Sequence, residues 1–293
     1  MWSGRILFAL ITTITFWASA FVGIREGLLS FSPGALALFR FAVASVCMAV
    51  IYCFLPNRSH IPWRDRLQIM LIGALGIGVY NLGLNYGELD VTAGVASFII
   101  GLIPVVTVIL SAAFFNERPS MRMLAGICVS MVGLGIIMLS EKQHIPTLAP
   151  IFCLLGSAVL GAFYIVLQKR FLGRYHVIEV TSWAIWGSTL CLMLFVPKLM
   201  HEVFLAGRAS TAAVVYMGVF PAAIAYIAWG YVLKYVPAST AAMFLYGAPL
   251  VTIAMALVFL HEKVSFLACI GGVVAMFGGW TTSFFQKQKA VSP

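Results

Sequence analysis

Residues 91–135 match residues 236–280 at a constant offset of 145, without a gap. The matched pairs include Val91/Val236, Ala96/Ala241, Pro104/Pro249, Thr107/Thr252, Phe114/Phe259, Glu117/Glu262, Ser120/Ser265, Gly126/Gly271 and Gly133/Gly278. Earlier in each half, Arg25/Arg170, Gly73/Gly218 and Tyr86/Tyr231 hold the same register. Apolar composition produces chance identities, but not paired prolines, glutamates and glycines in one ungapped frame. The chain is a tandem duplication, so one unit's structural problem is solved twice.

That unit is built for lipid. Of 293 residues, 62% are hydrophobic and 9% charged, against about 25% charged in an ordinary soluble domain. Apolar runs of ~20 residues, each enough to cross a hydrocarbon core, recur along the chain. A span in lipid has to satisfy its own backbone amides, which selects helices; the alternation of a barrel strand is absent. Punctuation places helices near 5–25, 33–55, 67–87, 91–115, 122–140, 148–168, 178–197, 211–233, 237–260 and 266–284. The predicted fold is an all-α polytopic membrane protein, with units at 5–140 and 148–284 and a cytoplasmic tail over 285–293. Five helices per unit is an odd number, so the second copy enters the bilayer from the opposite side. Ten transmembrane helices then form two inverted five-helix repeats, a carrier-like arrangement.

Basic residues orient the chain. The amino terminus and even-numbered loops hold Arg5, Arg58, Arg64, Arg66, Arg118, Arg122, Lys169, Arg170, Arg174, Lys234, Lys287 and Lys289. The opposite side holds Arg25, Lys142, Lys198, Arg208 and Lys263. This bias places both termini in the cytoplasm and accounts for the net charge of +9 without nucleic acid. Trp17-Ala18-Ser19-Ala20 has the look of a signal-peptide cleavage site, but Thr12–Arg25 has a register partner at Ser157–Arg170, so it is expected to be a retained helix. The six cysteines lie in apolar segments without a C-x-x-C pair and read as packing residues.

Every Asp and Glu falls at a helix end or in a loop. A mid-membrane carboxylate relay is therefore not expected, and a proton, the candidate coupling ion, is left with peripheral acids such as Glu26 or Glu88. Arg40 lies one to two turns inside helix 2. It either snorkels or bonds backbone carbonyls, or it meets a substrate anion.

Polar residues within the spans recur at helical spacing. Ser157, Gly161, Tyr164 and Gln168 share a face of helix 6, and their partners in helix 1 are Thr12, Phe16, Ser19 and Gly23. Asn81, Asn85 and Glu88 share a face of helix 3, opposite Tyr226, Gly230 and Leu233 in register. Helices 4 and 9 offer Ser97-Gly101-Pro104 and Ala242-Tyr246-Pro249. Each stripe reads either as helix packing or as the wall of a shared central cavity. Pro104 and Pro249 fall near mid-span, where a proline removes a backbone bond. Paired interruptions of this kind point to a transporter binding site, with a purely structural kink as the alternative. Trp183 and Trp186 suit an interfacial belt, whereas Tyr226, Trp229 and Tyr246 lie deeper, as pocket-lining aromatics would. Glu117 and Glu262 end helices 4 and 9 on opposite sides of the membrane, which suits a gate or hinge, and Ser120 and Ser265 are placed to cap the helices that follow.

The chain resembles the EamA-type branch of the drug/metabolite transporter superfamily. The resemblance rests on the paired P-x12-E segments with their following Ser and on the Gly-rich fifth and tenth helices. Trp17 with small residues and Phe21 in helix 1, and Arg40-Phe41 in helix 2, add to it. It implies a ten-helix inverted-repeat carrier of small organic metabolites, often amino acids, moving outward across a bacterial inner membrane. The cavity candidates are Thr12, Trp17, Ser19, Asn81, Asn85, Ser97, Pro104, Tyr164, Gln168, Tyr226, Trp229, Tyr246 and Pro249, with Arg40 as an anion contact. The expected partners are a small-molecule solute and the lipid bilayer, in a monomer or weak dimer. The competing class is an integral-membrane enzyme acting on a lipid-linked substrate. No Asp-rich diphosphate motif, G-x-S-x-G or H-E-x-x-H appears, and no cofactor is implied. A channel or passive scaffold is the third reading, which the mid-span prolines disfavour.

Overall fold

A computed structural model describes residues 3–56, 58–115, 119–140, 148–259 and 266–285. Among the described residues there is no strand; helices and short connections make up the whole. The first unit begins with α1 (Gly4–Gly27) and α2 (Pro33–Cys53), the latter opened by Pro33, whose missing N–H costs nothing there. α3 (Trp63–Gly73) passes through a π-helical turn at Ala74–Val79 into α4 (Tyr80–Gly87). α5 (Ala93–Ile100) and α6 (Ile103–Phe115) form a rod broken at residues 101–102, and α7 (Met121–Ser140) follows. Ser120 Oγ accepts the Met123 amide at 3.2 Å, the cap expected from the sequence.

The second unit repeats this order. It runs through α8 (Leu148–Leu172), α9 (Val177–Leu192), α10 (Val196–Glu202), α11 (Arg208–Met217), a second π-helical turn at Gly218–Ile224, and α12 (Ala225–Tyr235). α13 (Ala238–Met243), a 3-10 turn at Phe244–Gly247, α14 (Ala248–Phe259) and α15 (Phe266–Phe285) complete it. Each of the ten expected segments is mainly helical over its described residues. Among the described residues, eight helical rods are long and apolar enough to cross a membrane, and α7 and α15 contain shorter apolar stretches, Met121–Ile136 and Cys269–Gly279. The expected end of the seventh helix at 197 falls short, because the chain continues through a 3-10 turn and α10 to Glu202.

Glycine lets the backbones meet, as it does where lipid supplies no hydrophobic drive for helix association. A methyl group on Gly133 would lie 2.3 Å from the Ala275 amide nitrogen and 2.5 Å from Gly271 O. One on Gly278 would lie 2.5 Å from Gly126 O and from Ser130 N. Gly133/Gly278, Gly126/Gly271 and Ser130/Ala275 are all repeat pairs, so the α7–α15 contact is made twice with the copies exchanged. Ser130 Oγ also donates to Ala275 O at 2.8 Å. α3 and α9 meet as closely, Gly73 on the Ala184 backbone and Gly187 on Met70.

Charges at the helix ends tie the units down. Arg25 Nη1 donates to Glu88 O and Val91 O at 3.4 Å each, and Lys169 Nζ donates to Leu233 O and Val236 O. The acceptors 88/233 and 91/236 are repeat pairs, so each copy caps the end of its third rod with a cation from its first. Acids serve helix amino termini, where the dipole favours them. Glu202 accepts the Ser32 amide at 2.8 Å ahead of α2, and Glu179 in the first turn of α9 accepts Ser59 N at 2.9 Å. Glu117 and Glu262 lie outside the described residues.

Gly133→Leu is expected to destabilise the protein by about 3 kcal/mol, because the obstructing atoms are backbone and have nowhere to move. Thermal unfolding of the purified protein in detergent checks this, with Gly135→Leu, whose Cβ position is open, as the neutral comparison.

Candidate functional site

The helix interruptions have a common consequence. Pro104 and Pro249 are each the second residue of a restarted helix, α6 and α14, because proline cannot return a bond to the preceding turn. The two π-helical turns fall in the same register, 74–79 plus 145 giving 219–224. π turns leave the backbone locally wider and often mark functional sites. Between these interruptions lies a cavity walled by both units: Trp17, Ala20 and Phe21 of α1, Arg40 of α2, and Gly76, Tyr80, Asn81 and Leu84 along α3–α4. Ser97, Ile100, Gly101 and Ile103 flank the first break, and Gly161, Tyr164, Ile165, Tyr226, Leu245, Ala248 and Pro249 come from the second unit. Ala20/Ile165, Asn81/Tyr226, Ile100/Leu245 and Ile103/Ala248 are repeat pairs, so the cavity straddles the duplication.

Polar groups in this wall are few and fixed. Arg40 is 2% exposed, which excludes snorkelling to the interface. Its Nη1 donates to Asn81 Oδ1 at 3.0 Å, and Asn81 Nδ2 donates to Ile77 O in the π turn at 2.8 Å. The amide thereby turns the cation inward and consumes a π-turn carbonyl. Arg40 Nε and the Tyr164 hydroxyl are buried and reach no hydrogen-bond partner. The aromatic wall is interlocked, with Trp17 5.3 Å from Tyr226 and Tyr164 5.8 Å from Tyr226 between ring centroids. Trp17 Nε1 donates to Pro221 O in the second π turn at 3.2 Å. No carboxylate appears among the described residues of the lining, and no group of three His, Cys, Asp or Glu among the described residues is placed to hold a metal. The arrangement offers one cation, hydrogen-bond donors and apolar or aromatic faces, which suits binding and gives no nucleophile–base pair.

Of the residues singled out in the sequence, the structure brings Trp17, Arg40, Asn81, Ser97, Tyr164, Tyr226 and Pro249 together here. The others lie elsewhere. Thr12 is half-buried on α1, and its neighbour Thr13 makes the cross-unit bond, to Ala225 O at 3.4 Å. Ser19 meets the Tyr216 hydroxyl at 2.9 Å, and Asn85 donates to Pro33 O at 3.0 Å. Pro104 and Gln168 are buried away from the lining, and Trp229 stands behind Trp17 at 5.3 Å. Tyr246 belongs to a separate apolar cluster with Val108, Met123, Ile127, Leu134 and Ala275. Trp183 and Trp186 form an edge-to-face pair at 5.1 Å, with Arg66 over Trp183 at 5.1 Å. Tyr80 and Gly76 also line the cavity, although they lie off the Asn81–Asn85–Glu88 face that helical spacing picks out. A tyrosine in mid-span, away from either interfacial belt, was the available signal, as was Pro221 inside an otherwise helical segment.

Asn81→Leu removes the partner that holds Arg40 and leaves a second donor of the buried cation unsatisfied. The expected cost is about 2 kcal/mol, read as a lowered unfolding temperature in detergent, and Asn85→Leu should not share any effect on the cavity.

The EamA-like transporter family matches the chain twice, over residues 4–139 and 148–284. A "Probable terminal-alkyne amino-acid exporter" of Streptantibioticus cattleyicolor is 35% identical, over 94% of this chain and 92% of the relative. An uncharacterized transporter of Bacillus subtilis is 32% identical over 94% of this chain and 90% of its own length. A "Probable amino-acid metabolite efflux pump" of Escherichia coli is 24% identical over 95% of each. One crystal structure shares the fold with a TM-score of 0.75 at 16% identity, covering 97% of this chain and 99% of its own. The names carried by these relatives are those of transporters, not enzymes.

Proposed function

The chain belongs to the EamA-like transporter family, and on that footing we propose a secondary carrier that exports an amino acid or related small solute across a bacterial inner membrane. One observation carries the reading: a single cavity receives repeat-paired residues from both units at the level of their broken helices. In an inverted repeat of five plus five spans, over 5–140 and 148–284, such a cavity lies near the midplane. Rocking one unit against the other then opens it to each side in turn. With both termini in the cytoplasm, the cations that cap the third rods, Arg25 and Lys169, sit toward opposite faces, where they steady the two ends during that motion. The amino-acid exporters among the relatives support the solute class.

Counterflow in proteoliposomes, with a panel of amino acids and with or without a pH gradient, tests this. Saturable flux is expected, and Gly161→Trp should reduce it at least roughly tenfold, because a Cβ there already lies 3.0 Å from Ile103 Cδ1 and 3.2 Å from Tyr80. Ser19→Trp points toward Tyr216 and should spare the flux. Folded protein that moves no member of the panel, or that turns over a lipid-linked substrate instead, would overturn the carrier reading.

A further inference from the structure

The duplication separates what the fold needs from what one solute needs. Three pairs of apolar cavity positions recur in both units: Ala20/Ile165, Ile100/Leu245 and Ile103/Ala248. Apart from Asn81/Tyr226, the polar positions named here have no polar counterpart on the lining: the offset puts Ile185 opposite Arg40, Ser19 opposite Tyr164 and Ala225 opposite Tyr80. Ile185 and Ser19 do not line the cavity. The cation and the Tyr164 hydroxyl thus belong to one copy each, on a wall that shares an aliphatic part between the copies.

Arg40 is a guanidinium held in a buried site by one amide. Its electrostatic neighbours are Tyr226, Tyr80 and Glu88, and the one carboxyl among them, Glu88, ends α4 outside the lining. A buried cation without an anion on its open side is costly and gains most from a charge-assisted partner. Two donors that reach no partner, Arg40 Nε and the Tyr164 hydroxyl, line the same cavity. Both residues are more than nine-tenths buried. They match the acceptor oxygens of a carboxylate. Nothing of opposite charge on the described lining matches an ammonium, which the faces of Tyr80, Tyr226 and Trp17 accommodate without requiring it.

Building on the carrier reading, we infer that the cavity recognises an apolar monocarboxylate, with Arg40 and Tyr164 as the carboxylate-binding residues and the α-amino group tolerated rather than read. The apolar tail lies against the repeat-paired aliphatic wall. Decarboxylated amines lose the anchor, and deaminated acids keep it.

Thermal stabilisation and equilibrium binding of the purified wild-type protein in detergent test this without relying on flux. The probes are leucine and phenylalanine, their deaminated acids 4-methylpentanoate and 3-phenylpropanoate, and their decarboxylated amines 3-methylbutylamine and 2-phenylethylamine. The acids are expected to bind within about tenfold of the amino acids, and the amines at least about tenfold more weakly than either. Tyr164→Phe, which keeps the ring contacts, should weaken acid binding about tenfold. Arg40→Lys should weaken it because a point charge replaces the fork. Amines binding as well as the acids, acids binding no better to wild type than to Tyr164→Phe, or no binding by any acid would each overturn the inference. Acid binding without counterflow would instead leave this site standing and overturn the carrier reading.

Discussion

A backbone amide in hydrocarbon has no water to turn to, and this chain nevertheless interrupts its helices at matched places in its two units. Interruptions of that kind survive only where protein or a polar cavity takes up the freed groups. The structure meets the requirement once within a rod and once across the units. Asn81 takes the Ile77 carbonyl of the first π turn, and Trp17 takes the Pro221 carbonyl of the second. Both residues also wall the cavity. The groups that make the broken helices tolerable are thus the ones that give the cavity its polar character. Glycine contacts between α7 and α15, and between α3 and α9, bring other backbones of the two units together.

Duplication explains why both units wall the cavity, and divergence explains why they contribute different polar groups to it. A pair such as Asn81/Tyr226 began as one position and now supplies an amide in one copy and a phenol in the other, both on the lining. Arg40 has only Ile185 in its register. A site built from two copies of one wall cannot distinguish the ends of a solute until the copies differ. The asymmetry lies largely in the few polar side chains, while Pro104/Pro249, Gly126/Gly271 and Gly133/Gly278 stay paired.

Much of this was legible in the chain. Apolar runs, loop residues and the 145-residue offset gave the helices, because in lipid the backbone leaves few alternatives and hydropathy reports it directly. The Ser120 cap could be read from local chemistry, and so could the interruptions at Pro104 and Pro249. Stripes were less reliable. Ser157, Gly161, Tyr164 and Gln168 share one face by spacing, yet only Gly161 and Tyr164 reach the cavity. Ser157 instead bonds Tyr80 O at 2.9 Å on a neighbouring rod. In a helix apolar all round, polarity cannot tell a packed face from a lined one. The pairing of Ser19 with Tyr216 and of Asn85 with Pro33 depends on which rods become neighbours, and no residue spacing within one rod contains that.

By itself the sequence determined a duplicated, all-helical membrane unit with paired mid-span breaks, because those properties follow from composition, periodicity and the stereochemistry of proline. The tertiary structure alone decided that Pro249 lines the cavity while Pro104 does not, and that Arg40 turns inward onto Asn81. It also decided that Tyr80 joins the wall while Tyr246 is packed elsewhere. Each of those outcomes depends on how one rod is rotated against its neighbours, where close approaches such as Gly76 on Tyr164 and Gly218 on the Arg40 carbonyl bring distant segments together. A side chain's role in this protein therefore depends on backbone approaches made far from it in the chain.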